Sequence, residues 1–375
     1  MGQDREIFVI GGGPSGLAAA IAASQRGFKV TVADGNRPPI DKACGEGLMP
    51  DAVLALQQLG VHFSSEEGHC FRGISFLNKA ETAAAAQSDT AQAEFPIHPA
   101  IGIRRTTLHK KMVEAAESCG VQFLWNTPVT GLTQAGVLLG RNLIRARWII
   151  GADGSLSRVR HWCGLKNNGR SCVRFAYRRH YRVRPWTDFV EVHWGPALQA
   201  YVTPVAPDEI CVAVVSRNPH QRSEEWRVFP ELAAHLADAP PVNTERGAIT
   251  GMRRLSRVYR DNVALIGDAS GTVDAITGEG LNLSFRQAFA LAEALESGDL
   301  AKYQAAHRRI SMRPGLMGRL LLMMDDRPLL RQRVVRILAG ENDMFSRLLA
   351  AHVGESSVFQ MMTTGAMFGM RLLVA

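Results

Sequence analysis

The chain has 375 residues, 46% of them hydrophobic and 21% charged, a globular composition sized for about two domains and too apolar for a disordered chain. Lys and Arg outnumber Asp and Glu by 43 to 35, giving a net charge of +8 and a pI near 9.4. That excess fits anionic ligands (a pyridine dinucleotide, carboxylate, phosphate ester or coenzyme A conjugate), an anionic membrane, or a solvated basic surface. Nucleic acid is disfavoured because no recognition motif accompanies the charge. The sequence holds no apolar run long enough to span a bilayer. The charged start Asp4-Arg5-Glu6 runs into a strand with no room for a signal peptide, so a cytoplasmic protein is expected. The cysteines show no CxxC pair and no metal-ligand spacing with His. Most are read as small buried side chains in a reducing compartment, and no metal site is expected.

Residues 7–10 form an apolar strand that breaks into Gly11-Gly12-Gly13-Pro14-Ser15-Gly16, followed by an alanine-rich helix over 17–25 and a second strand, Val30 to Ala33, ending at Asp34. This order suits a dinucleotide: Gly11 for the tight turn, Gly13 for close approach of a pyrophosphate, Gly16 for helix packing against the strand, and Asp34 for a ribose. The helix N-terminus offers free N–H groups and a positive dipole end to the phosphates. A proline loop and the segment Cys44-Gly45-Glu46-Gly47 precede a helix starting at Pro50, with Val53, Leu54, Leu56 and Leu59 on its apolar side. A strand over 71–77, an exposed hairpin or mobile loop over 80–93, and a helix opening at Arg104-Arg105 and ending at Gly120 follow. A strand over 121–125 and a small antiparallel ribbon over 129–150 lead to a second glycine and acid turn, Gly151 to Arg160, which includes Asp153, Gly154 and Ser157.

Residues 174–184 alternate, with Arg174, Arg178, His180 and Arg182 on one face and Phe175, Tyr177 and Tyr181 on the other. The basic face reads either as a platform for an anionic substrate or NADPH, or as a solvated sheet face. Strands over 189–194, 199–204 and 210–215 complete an antiparallel sheet, and 224–237 reads as helix. Val263 to Ile266 then feeds a third turn, Gly267-Asp268, and the segment Gly278-Glu279-Gly280-Leu281-Asn282 where a helix begins. Beyond Gly298 the chain is helical, with arginines among Leu and Met clusters. The last stretch, Phe345 to Ala375, with Met361, Met362, Met367, Phe368 and Met370, is read as a helical cap, part of a lipophilic substrate channel, or an interfacial membrane helix, in that order.

Three strand ends of the form glycine plus acid, in this order over residues 5 to 300, resemble the flavoprotein monooxygenase superfamily with the para-hydroxybenzoate hydroxylase fold. The resemblance implies an α/β fold: a Rossmann-like FAD-binding domain (1–71, 97–168 and 255–300), an inserted antiparallel substrate domain (72–96 and 169–254) and a helical C-terminal cap (301–375). It implies FAD held by Gly11, Gly13, Pro14, Ser15, Gly16 and Asp34, with Arg105 or Arg104 near the pyrophosphate. It further implies Asp153 and Gly154 at the second turn, where Asp153 also reads as an acid tying its own backbone. Gly267 and Asp268 are implied at the ribityl chain, and Gly278, Gly280, Leu281 and Asn282 at the flavin pyrimidine edge.

The "GDASGTVDAITGEGLNL" version of the third motif and the "CGEG" loop are closest to the geranylgeranyl reductase and halogenase-like branch. The halogenase Trp-x-Trp-x-Ile-Pro signature is absent. Lys42 stands where the reductases usually have Tyr. The implied activity is that of an NAD(P)H-dependent, FAD-dependent monooxygenase acting on an aromatic or polyketide-like molecule. A reductase of isoprenoid double bonds is the alternative, and a non-catalytic flavin carrier or redox-sensing partner the alternative of another class. NADPH or NADH is expected as a transient reductant, and the small-molecule substrate as anionic or lipophilic. Cys44, Glu46 and Tyr201 are the candidates on the substrate side. Cys44 reads as a redox or nucleophilic thiol, a covalent flavin attachment point, or a small residue fitting beside the ring. Glu46 orients a substrate hydroxyl or caps the helix near Pro50.

Overall fold

The computed structural model describes residues 5–78, 89–165, 173–195, 197–354 and 357–374. One sheet is built on the buried strand Arg5–Ile10, which pairs in parallel with Val30–Ala33 on one side and Asn142–Gly151 on the other. Val263–Leu265 joins beyond Asn142–Gly151, and Gln122–Leu124 beyond Val30–Ala33, also in parallel. The register matches Ile10 with both Ala33 and Gly151, and Gly151 with Leu265. Gly11, Asp34, Asp153 and Asp268 therefore leave the sheet at one carboxyl edge, where open α/β sheets bind their ligands. The ribbon Gly131–Thr133, Gly136–Leu139 and Asn142–Gly151 is antiparallel, as its turn residues imply.

Helix Pro14–Ser24 is almost wholly buried and packs between this sheet and helix Gly280–Glu296. Gly16 makes the contact possible, because a Cβ there would lie 1.9 Å from the Gly11 carbonyl oxygen. Ser15 Oγ meets Ser284 Oγ at 2.8 Å across the helix pair.

The second sheet has seven strands in the order Arg246–Gly251, Val173–Arg182, Glu209–Ser216, Leu198–Ala206, Phe189–Gly195, Gly73–Asn78 and Asp89–Glu94. It is antiparallel except where Phe189–Gly195 runs parallel to Gly73–Asn78. One face packs on Trp226, Phe229 and Leu232. The other is covered by the cap helices Leu300–Asp326, Pro328–Gly340 and Asn342–Val353 through Val334, Leu338 and Phe345.

Several expectations change. The single strand over 71–77 is two, His69–Phe71 and Gly73–Asn78, in different sheets. The hairpin over 80–93 lies partly outside the described residues, and its second half is strand Asp89–Glu94. The helix over 224–237 is a 3₁₀ segment, Ser223–Val228, and a helix, Pro230–Leu236, because Pro230 has no N–H to continue the first. Leu54 is 39% exposed, and Ala52 and Ala55 share the buried side of the Pro50 helix instead. Among the described cysteines Cys163 and Cys211 are buried, Cys44 and Cys119 half-buried and Cys70 exposed, and Cys172 lies outside the described residues.

Candidate functional site

A cavity of about 930 Å³ runs from the glycine loop, along the carboxyl edge of the parallel sheet, beneath the antiparallel sheet and into the helical cap. Of the residues expected at a dinucleotide, Gly11, Gly13, Pro14, Ser15, Asp34, Arg105, Asp153, Gly154, Asp268, Gly278, Gly280 and Leu281 all line it. So do Cys44, Glu46 and Tyr201. Gly16, Gly267 and Asn282 stand behind the wall. Gly267, at φ +60, has no room for a Cβ beside Ser15 Oγ.

The loop is shaped at its root. Gly11 takes φ +109 against the Ala152 carbonyl, and its N–H donates to the Ala33 carbonyl at 2.8 Å. Asp34 accepts from Gly12 N–H at 2.8 Å through Oδ2, and from Asn36 N–H at 2.8 Å through Oδ1. His109 holds the loop from below. It is fully buried, its Nδ1 accepts from Ile40 N–H, and its Nε2–H donates to the Gly12 carbonyl at 2.8 Å. Burial lowers its pKa, which favours the neutral ring that this tautomer requires. His109 was not singled out from sequence, although it lies four residues after Arg105, one helical turn along the same face.

Arg104 and Arg105 differ in placement: Arg104 Nε is bonded to Glu209 and only Arg105 lines the cavity, while Arg104 Nη2 and Arg105 Nε are both buried without a hydrogen-bond partner. Asp153 does two things. Its Oδ2 accepts from the N–H groups of Arg158 and Val159 at 2.7 and 3.1 Å, while its buried Oδ1 has no partner.

Asp268 meets Lys42 Nζ at 2.9 Å. Its turn is fixed from behind: Gln287 accepts from Gly267 N–H at 2.8 Å, Ser270 Oγ bonds both the Gly267 carbonyl and His307, and Tyr303 O–H donates to the Leu265 carbonyl. Tyr303 and His307 belong to the first cap helix, so the cap helps to shape the site.

Glu46 sits at φ 61 and is 3% exposed. It does not cap the Pro50 helix. Its Oε1 accepts from Arg105 N–H at 3.0 Å, at the start of the next helix, Arg105–Ser118. Its Oε2 accepts from His180 Nε2–H at 2.5 Å. The His180 tautomer follows from its neighbours: Asn243 Oδ1 accepts the His180 backbone N–H, which turns Asn243 Nδ2 toward His180 Nδ1 at 2.6 Å. Arg178 Nη1 approaches the same nitrogen at 3.2 Å, so Nδ1 accepts and Nε2 carries the proton.

The basic strand face is therefore not solvated over Arg174 to His180, whereas Arg182 is exposed and pairs with Asp208 at 3.0 Å. Arg174, Arg178 and His180 are at most 2% exposed, and each guanidinium is matched by carboxylates: Arg174 with Asp274 at 2.8 Å, Arg178 with Asp41 and with Glu46 at 3.5 Å. Tyr201 O–H donates to Gln199 Oε1 at 2.7 Å, beside Arg174, and burial pushes its phenol well up, so it stays protonated. Cys44 Sγ accepts from Glu46 N–H at 3.4 Å, within its own loop.

Beside the glycine loop, helix Gly280–Glu296 starts on the cavity wall. A Cβ on Gly280 would touch nothing within 4 Å, so the helix start faces open space. The Asn282 side chain turns away and donates to both Glu279 and Asp51. An extended dinucleotide fits this wall: a glycine loop and a second helix N-terminus whose first turns meet through Ser15 and Ser284, a guanidinium with an unpaired N–H, and a carboxylate with an unpaired oxygen.

A family profile described as an FAD binding domain matches residues 4–299. A menaquinone reductase of Mycolicibacterium smegmatis is 27% identical over 339 residues, covering 82% of this chain and 80% of its own. A putative 2-heptyl-3-hydroxy-4(1H)-quinolone synthase of Rhodococcus erythropolis is 27% identical over 326 residues, with 81% and 84% covered. In fold, the chain is similar to p-nitrophenol 4-monooxygenase from Pseudomonas putida, with a TM-score of 0.77, 17% identity and 99% of each chain covered.

Proposed function

The chain belongs to the FAD-binding domain family of flavin-dependent oxidoreductases, and from that premise we propose that it is an NAD(P)H-dependent monooxygenase for a flat aromatic ring that carries an apolar chain. One observation supports this substrate above all: the cavity continues without a break from the helix start at Gly280 to an apolar arm between the cap helices, lined by Leu321, Val334, Leu338, Leu349 and Phe368. The menaquinone and the heptyl quinolone named for two relatives both join a flat ring to an apolar chain.

Asp34 takes the adenosine ribose, Arg105 the pyrophosphate, Asp268 the ribityl chain, and the N–H groups at the start of helix Gly280–Glu296 the pyrimidine edge. A helix N-terminus stabilises negative charge there by about 0.3–2 kcal/mol. Bound FAD supplies hydride acceptance from NAD(P)H and the activation of oxygen. The protein's share is positioning and dryness. Ile74, Phe76, Val190, Val192, Ala213 and Val215 form a wall with no proton to give, which keeps water from the reacting ring. Tyr201, held protonated, orients a ring oxygen by donating to it in place of Gln199. Glu46, tied to Arg105, Arg178 and His180, fixes the Cys44 loop on the cavity wall, where it would face bound FAD, rather than acting as a free base.

A second reading, reduction of a quinone or an isoprenoid double bond, is favoured by the loop that sets Cys44 on the cavity wall. Oxygen uptake coupled to NAD(P)H and a ring-plus-chain ligand separates the two. Stoichiometric uptake with a hydroxylated product supports oxygenation, and full turnover under strict anaerobiosis refutes it.

A further inference from the structure

The outside of the cap carries most of its charge, Arg331 being buried, together with its exposed apolar side chains. Residues 301–375 hold eleven Lys and Arg against five Asp and Glu, which is six of the chain's net +8. On helix Leu300–Asp326, Met312, Leu316, Leu320 and Met323 recur at helical spacing and are 72, 56, 44 and 37% exposed. On helix Val358–Val374, Phe359, Met362, Met370 and Leu373 are 75, 66, 60 and 85% exposed. Leu329, between them in sequence, is 83% exposed. Scattered apolar side chains need no explanation on a monomer, but two helices with outward apolar stripes do. Arg309, Arg319, Arg327 and Arg371 are exposed on the same elements or their connection.

The cavity opens here as well: Leu320, Met323 and Gly365 are exposed and also line it. No helix among the described residues is long and apolar enough to cross a membrane. Helices with an apolar stripe flanked by arginines instead lie in the plane of an interface.

We propose that the outer faces of helices Leu300–Asp326 and Val358–Val374 dock on an anionic phospholipid bilayer, so that the apolar arm of the cavity opens into the acyl layer. Charge complementarity points to an anionic bilayer, and the position of the cavity mouth distinguishes it from a general protein partner. A lipophilic ligand then enters and leaves without crossing water. Docking is read without turnover, so it stands or falls apart from the reaction assigned above.

The test is co-sedimentation of the full-length, FAD-loaded protein with phosphatidylcholine vesicles, with and without phosphatidylglycerol. Binding to the anionic vesicles is expected, weakened by salt and weakened roughly fivefold per arginine removed, as in Arg319→Gln. Leu316→Asp combined with Met370→Asp is expected to abolish it while the flavin spectrum stays native, which shows that the fold is intact. Equal sedimentation with and without anionic lipid overturns the proposal. So does a concentration-dependent dimer that the same substitutions break, with no vesicle binding, since a second copy then covers the face. If the double variant loses its flavin, Arg319→Gln and the salt series decide alone.

Discussion

Glu279, at the N-cap of helix Gly280–Glu296, is 1% exposed, and the Asn282 amide donates to both its Oε2, at 2.7 Å, and Asp51 Oδ2, at 2.5 Å. Arg286, Arg313 and His352 are the other charged or titratable groups that face the pair. Burial pushes both carboxyls up to about 7, from ordinary values of 3.8 for Asp51 and 4.5 for Glu279. The folded protein thus keeps a proton that the unfolded chain has already released, so stability falls as pH rises from the ordinary carboxyl range through about 7. Because Asn282 bridges the two carboxyls, this pH-dependent stability belongs to the pair and not to either carboxyl alone.

Glu279→Gln keeps the acceptor for Asn282 and removes the ionisation. Chemical denaturation of both proteins at saturating FAD, compared across pH, cancels most other titrations. The difference is expected near zero at about pH 5 and to favour Glu279→Gln by on the order of 1 kcal/mol or more at about pH 8, with Asp51 titrating lower in the variant because the neighbouring charge is gone. A difference that does not change with pH, or a variant less stable at the alkaline end, refutes this assignment.

Gly16→Ala places a Cβ 1.9 Å from the Gly11 carbonyl oxygen and is expected to yield protein without bound flavin; a normal flavin spectrum contradicts the loop's role. Asp274→Asn leaves the Arg174 guanidinium, 1% exposed, with its hydrogen bond to Gln199 at 2.9 Å but no carboxylate nearer than Asp325 at 3.8 Å. It is expected to cost about 3 kcal/mol in denaturant unfolding, and a change near zero refutes the buried pair's importance. Val334→Trp narrows the apolar arm and is expected to weaken a ring-plus-chain ligand at least tenfold, about 1.4 kcal/mol, while sparing a chainless one. Equal weakening of the two ligands in a flavin-absorbance titration means that the arm does not hold the chain.

The parallel sheet was legible because glycine, strand period and terminal acids all act locally: Ile7 to Asp34 fold as their sequence reads. The antiparallel strands were legible for the same reason. The fate of the basic strand was not, because Arg178 is neutralised by Asp41, 137 residues away, and no local pattern announces such a pairing. Glu46 was legible as a residue of the cavity, but its tie between the Arg105 helix and the His180 strand was not, because only the tertiary fold brings those together. His109, Gln287 and His307 went unnoticed because each supports a motif from behind, as a lone polar residue in an otherwise ordinary helix. The cap's outward stripes were visible as Met and Leu clusters, but periodicity alone does not tell which face meets the core.

The most direct test is a titration of FAD-loaded protein with a series of quinolones whose alkyl chain grows one carbon at a time, followed by flavin absorbance. A chain lying in the apolar arm predicts affinity rising about fourfold per added carbon, from roughly 0.8 kcal/mol for each buried methylene, until the arm is filled. Affinities that do not depend on chain length contradict a cavity built for a ring with an apolar chain.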